Sequence, residues 1–159
     1  MEYVQVLIFG LSLGGVYALM ASGLTLIFGV MNIVNLAHAA FVVVASYIAL
    51  GLFDGLGLDP LLSIVVTMPA LFILGALVYR VLFAGISGST RFVESTVLLS
   101  FALAMVLEGL LSFLFTGIYR STTPGYATET IGLGALYFPE GQFYATVVSI
   151  VLLVALYLF

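Results

Sequence analysis

The chain has 159 residues, of which 64% are hydrophobic and 6% charged, and it contains no cysteine. A soluble domain carries about a quarter charged residues, so this composition excludes a soluble fold and makes the lipid bilayer a partner of the chain. Three cationic side chains against seven carboxylates, a formal net charge of −4, argue against nucleic acid, which is held by cationic contacts to phosphate.

Apolar residues come in runs of about twenty rather than in alternation, which points to spanning helices and not to a barrel. The expected architecture is all-α: one polytopic transmembrane bundle of about five spans covering residues 1–159. The first run, Val4–Phe28, reaches roughly 37 Å at helical rise, enough to cross with tilt. Gly10, Gly14, Ala18 and Ser22 recur at every fourth position, with Gly15 alongside. Small residues at that spacing let helix backbones approach closely, so this stripe is expected to be a packing face. The opening MEYVQVLIFG lacks the cationic start of a signal peptide and reads as part of the first span.

The next stretch, Gly29–Tyr47, holds the single histidine and both asparagines of the chain. Within a bilayer Asn32, Asn35 and His38 each need a partner, because an unpaired amide or imidazole there costs roughly 2–7 kcal/mol. On one helix they would fall at i, i+3 and i+6, within about 120° of arc. Asn35, Ala39, Val42 and Ser46 would form an adjacent strip of mostly small side chains. Two readings stay open: contacts that glue neighbouring helices together, or the border of a narrow polar path. Gly29 marks a weak point, and the second span is expected to be broken or kinked near Gly29–Asn35 and to end near Leu52.

Phe53–Asp59 reads as a loop, and Asp59-Pro60 as a cap followed by proline in a first helical turn. A third span is expected over Leu61–Phe83, with Pro69 inside it as a kink. After the loop Ala84–Arg91 comes a fourth span, Val93–Thr116, carrying Glu108 well inside. A carboxylate there is protonated, paired or in contact with a wet cavity. The longest polar segment, Gly117–Gln142, has short apolar pieces such as Ile131–Phe138 and is expected to lie against the membrane surface. Phe143–Phe159 is a fifth run.

No catalytic set emerges. A chain without lysine cannot build a P-loop, and one histidine without cysteine makes no zinc site unless carboxylates cluster round it, which they do not. No metal or cofactor is expected. Gly85-Ile86-Ser87-Gly88 spells the G-x-S-G found around the serine of rhomboid-type intramembrane proteases. That tetrapeptide is small and its order relative to His38 is reversed, so Ser87 reads as a loop residue. Composition and polar spans by themselves fit a transporter or channel, including one in which His38 and Glu108 relay protons.

The first fifty residues narrow this. GLTLIFGV at Gly23–Val30 and Asn35, Ala37 and His38 of the following motif resemble the opening of the permease subunits of branched-chain amino-acid ABC importers, a family that includes urea permeases. Ala39 stands where that family has glycine after the histidine, and Ala45-Ser46-Tyr47 replaces its G-A-Y. Thr96–Arg120 resembles the family's fourth region. The resemblance implies a transport subunit with no enzymatic activity of its own, in a prokaryotic inner membrane. It also implies a homologous permease subunit, a pair of cytosolic ATPases and an external binding protein as partners. The substrate is then a hydrophobic amino acid, or urea or a small amide in the sister branch. The ATPase-docking loop of the family falls beyond Phe159, so these residues alone are expected to insert but not to transport.

Arg80 and Arg91 flank the Ala84–Arg91 loop, which the positive-inside rule places in the cytoplasm. The N-terminus and Gly117–Gln142 are then external. Because the chain has no cysteine, Ser87→Cys and Thr128→Cys can be probed in intact cells with a membrane-impermeant thiol reagent. Labelling at position 128 and not at 87 is expected; the opposite pattern reverses the orientation.

Overall fold

A computed structural model describes residues 2–118, 120–133 and 136–158. Among them, five helices are long and apolar enough to cross a membrane. They are α1 (Glu2–Met31), α2 (His38–Leu56), α3 (Ile64–Val78), α4 (Phe92–Phe115) and α5 (Glu140–Leu158). A π-helical turn, Tyr79–Phe83, and a 3-10 turn, Ala84–Ile86, prolong α3 so that its span runs to Ile86. Pro69 lies inside α3. Bulky side chains on the spans stand in the open; Phe72 and Phe113 are 77% and 84% exposed. Most buried positions are instead small or hydroxylic, Ala37, Ala40, Ser12, Ser63, Thr67, Thr96, Ser100 and Ser149, with Ile33, Leu50 and Phe83 the bulky exceptions among the described residues. Membrane helices pack in this way, because lipid tails are as apolar as leucine and only close backbone approach or hydrogen bonding favours one neighbour over another.

The chain divides into two compact units, Met1–Leu26 with Thr123–Phe159, and Ile27–Thr122. In the first, part of the expected surface segment is a strand pair, among the described residues the one departure from an all-α chain. Strands β1 (Thr130–Leu133) and β2 (Leu136–Pro139) pair antiparallel, with Thr130 opposite Pro139 and Ile131 opposite Phe138. The carboxamide of Gln5 on α1 donates to the Tyr137 carbonyl and accepts the Tyr137 N–H at 3.2 Å. It thereby occupies the outer edge of β2, where a strand would otherwise present unpaired groups. Phe138 packs with Phe9 and Phe143, ring centroids 6.1 and 5.9 Å away, and Gln142 Nε2 donates to the Phe9 carbonyl at 3.4 Å.

The glycines of the small-residue stripe of α1 have no close neighbour among the described residues. A Cβ added to Gly10, Gly14 or Gly15 would find nothing within 4 Å. Ala18 is exposed, and the half-buried Ser22 turns its hydroxyl back to the Leu19 carbonyl at 2.7 Å.

In the second unit α2 packs against α3 and α4. Helix α2 runs past Leu52 through most of the expected loop and stops at Gly57, whose φ of 65° lies in the left-handed region. Glycine alone enters that region without a Cβ penalty, and its N–H closes on the Phe53 carbonyl at 3.0 Å. Asp59 caps the turn that follows: its Oδ1 accepts the Leu61 N–H at 2.8 Å and its carbonyl the Ser63 N–H at 2.9 Å. Helix α3 begins only after that turn.

The Gln5 contact predicts protection of a single amide. Gln5→Ala should raise the hydrogen-exchange rate of the Tyr137 N–H by roughly threefold to tenfold, the equivalent of about 0.5–1.5 kcal/mol for one hydrogen bond. Exchange mass spectrometry of the hairpin peptide reads this directly, and an unchanged rate would show that Gln5 does not hold the edge.

Candidate functional site

The break expected near Gly29–Asn35 exists, shifted towards the C-terminus. Gly29 is an ordinary residue of α1, which ends at Met31. Asn32 carries the reversal, with φ 54° and its N–H on the Phe28 carbonyl at 2.9 Å. Asparagine tolerates the left-handed region better than other residues with a Cβ. Residues 32–37 are not helical, and α2 starts at His38. Asn32, Asn35 and His38 therefore do not share one helical arc; the first two belong to the link.

Non-helical backbone in a spanning region must find partners for its N–H and C=O groups. Here α4 supplies them. The Val34 N–H donates to Thr96 Oγ1 at 3.3 Å, and the Leu36 N–H to Ser100 Oγ at 3.0 Å. Ser100 Oγ in turn lies 3.0 Å from the Val34 carbonyl and 3.1 Å from that of Val97, so its one proton serves both. Thr96 and Ser100 are fully buried, and Ile33 and Ala37 of the link are buried as well. Within the link, Asn35 Oδ1 accepts the Ala37 N–H at 3.1 Å and the Asn35 carbonyl the His38 N–H at 3.3 Å. Asn35 thus closes a local turn just ahead of α2. His38 differs: its Nε2 is buried and has no hydrogen-bond partner among the described residues.

Contacts run in step along α2 and α4, from Leu36 at Ser100 to the Tyr47 ring stacked on Phe115, centroids 4.2 Å apart and 20° from parallel. The two helices are therefore parallel, as spans separated by one other span must be. Two adjoining grooves lie here, the smaller between α2 and α4 and the larger between α2 and the segment that follows α4. One, about 480 Å³, is lined by Ala39, Ala40, Val43, Tyr47, Leu111 and Ile118 together with Glu108, Ser112 and Thr116. The other, about 640 Å³, shares Val43, Tyr47 and Ile118 and adds Ser46 and Arg120. Ser46 and Glu108 thus come to neighbouring walls, while Asn32, Asn35 and His38 line neither groove. Thr116 ends α4 with φ 63°, a conformation that costs a β-branched residue about 1–3 kcal/mol and turns the chain back over the groove. Ser87, by contrast, is an exposed turn residue whose hydroxyl donates to the Ala84 carbonyl at 3.0 Å.

Sequence reasoning missed Thr96, Ser100 and Ser112. Their signal is a four-residue rhythm in α4, Thr96, Ser100, Ala104, Glu108, Ser112 and Thr116. Such a ridge winds by about 40° per step, so its first residues hold the link and its last ones line the groove.

Comparison with known proteins bears on the whole chain. The family described as "Branched-chain amino acid transport system / permease component" matches residues 6–159. A protein of Methanocaldococcus jannaschii, described as "Probable branched-chain amino acid transport permease protein LivH", is 30% identical over 146 residues, 88% of this chain and 45% of that protein. "High-affinity branched-chain amino acid transport system permease protein BraD" of Pseudomonas aeruginosa is 32% identical over 100 residues, 58% of this chain and 33% of that protein. The chain thus spans less than half the length of these relatives. No solved structure gives a significant match.

Removing the Ser100 hydroxyl leaves a part-buried N–H and C=O without that partner. Ser100→Ala should cost about 1–3 kcal/mol, read as a lower thermal midpoint of the detergent-solubilised protein. Ser46→Ala, whose hydroxyl serves the Val42 carbonyl of its own helix at 3.0 Å, should change stability by less than about 0.5 kcal/mol. Equal effects would show that the link does not depend on α4.

Proposed function

The chain belongs to the permease-component family of branched-chain amino acid transport systems, and from that premise we propose that it forms part of the translocating membrane subunit of an ATP-driven importer of branched-chain amino acids. The observation that carries this reading is the break at residues 32–37, held inside the protein by Thr96 and Ser100 beside the parallel α2–α4 pair. Irregular backbone in a membrane is tolerated where it is buried in protein or lines a cavity, and a transport subunit needs such a place. The exposed apolar spans suit a subunit whose remaining surface meets more of its own permease and a homologous partner. ATP hydrolysis belongs to separate cytosolic subunits and substrate delivery to an external binding protein, in the inner membrane of a prokaryotic cell. The 159 residues are one portion of a longer transmembrane domain, and Asn35, His38, Ser46 and Glu108 border its path. Asn32 sits at the mouth of the break.

The test is reconstitution of the complete permease with its ATPases and binding protein in liposomes. ATP-dependent leucine uptake supports the reading; ATP-dependent uptake of urea alone moves the protein to the sister branch, and uptake driven by a proton gradient without ATP overturns it. His38→Ala is the cleaner probe of the path, since Nε2 has no bond to lose within the described residues. It should lower leucine uptake severalfold while leaving assembly intact. Asn35→Leu should lower uptake and also cost about 1 kcal/mol of stability, through the lost hydrogen bond to the Ala37 N–H.

A further inference from the structure

The two grooves beside α2 contain charged and polar groups that have no partner among the described residues. Glu108 lies within the spanning helix α4 and has no hydrogen bond or ion pair among the described residues. Ser112, one step along the same ridge, is also without a partner there, whereas Ser12, Ser46, Thr67 and Ser149 all turn their hydroxyls to a carbonyl of their own helix. Both line the smaller groove. Arg120 lines the larger one and likewise has no partner among the described residues. An ionisable side chain inside a membrane span marks a pathway unless something neutralises it, and here one carboxylate and one guanidinium lie in grooves that adjoin through Val43, Tyr47 and Ile118.

We propose that the smaller groove is the ammonium subsite for a zwitterionic α-amino acid with an apolar side chain, and that Arg120 in the adjoining groove receives its carboxylate. An ammonium has three donors and no acceptor, and a guanidinium matches a carboxylate with a planar fork of donors. Glu108 and Ser112 stand at i and i+4, on neighbouring positions of one helix surface, and together offer acceptors alone when Glu108 is ionised and the hydroxyl turns its lone pair outward. Val43, Leu111, Ile118 and the Tyr47 ring form the apolar wall against which an aliphatic side chain sheds water. A neutral amide such as urea would leave the carboxylate without a counter-charge. Glu108 is therefore a specificity-determining residue, favouring amino acids over amides. The substrate assignment rests on the importer reading; the charge of the groove does not.

The test separates the two. In the complete transporter, Leu111→Cys places a thiol in the groove of this cysteine-free chain. A cationic thiosulfonate reagent should modify it about tenfold faster than an anionic one of equal size, because a charged cleft concentrates counter-ions. Glu108→Gln should abolish that preference and Glu108→Asp should keep it. Leucine should slow the modification and urea should not. In the uptake assay Glu108→Gln should reduce leucine transport at least about tenfold, and Arg120→Gln should raise the half-saturating leucine concentration. Absence of a charge preference, or protection by urea and not by leucine, overturns the subsite. A charge preference at Leu111→Cys, with no ATP-dependent uptake by the otherwise unaltered transporter, overturns the importer reading and leaves the cation-attracting groove standing.

Discussion

Thr96 and Ser100 hold together the part of this protein that would otherwise be least able to exist in a membrane. Residues 32–37 leave helical geometry, and an unpaired peptide group in hydrocarbon costs several kcal/mol. The two hydroxyls take the N–H groups of Val34 and Leu36, and Ser100 also reaches the Val34 carbonyl. A hydroxyl is suited to this because it both accepts and donates. Ile33 and Ala37 of the link are themselves buried, so the break is a packed feature and not a frayed helix end.

That contact also sets the direction and depth at which α2 starts. Once Leu36 is held at Ser100, α2 departs parallel to α4, and its small residues Ala39 and Ala40 come to the same wall as Glu108. The Tyr47–Phe115 stack fixes the far end of the pair. The smaller groove is lined by both helices, and the larger one by α2 and the segment that follows α4. One ridge of α4 thus does two jobs, structural at its start and chemical at its end.

Hydroxyls elsewhere in the chain show how ordinary the alternative is. Thr67, Thr146 and Ser149 each bond a carbonyl four residues earlier, which satisfies the side chain and leaves the helix unbroken. Thr96 and Ser100 also reach a carbonyl of their own helix, yet retain lone pairs for a neighbour. The hairpin of the other unit uses a similar device: Gln5, a side-chain amide, substitutes for a missing strand at Tyr137.

The sequence by itself determined that this is a polytopic helical membrane protein, because so few charges and such long apolar runs leave no other way to satisfy the backbone. It also placed the span cores closely and located a break around the asparagines. Helix ends were legible only approximately: Gly57 stops α2, but FDGL before it continues the helix, and nothing local distinguishes that from a loop. The hairpin was hidden because its strands are four residues each, too short for alternation to register, and one edge depends on a glutamine distant in the chain. The helical arc of Asn32, Asn35 and His38 was undone by Asn32 entering the left-handed region. Which hydroxyls support the break, and which polar groups remain free in a groove, are facts about what lies opposite them. Serine in a membrane helix can always bond its own backbone, so only the packing of α4 beside the link and beside α2 decided that Ser100 is committed to the link and Ser112 is not.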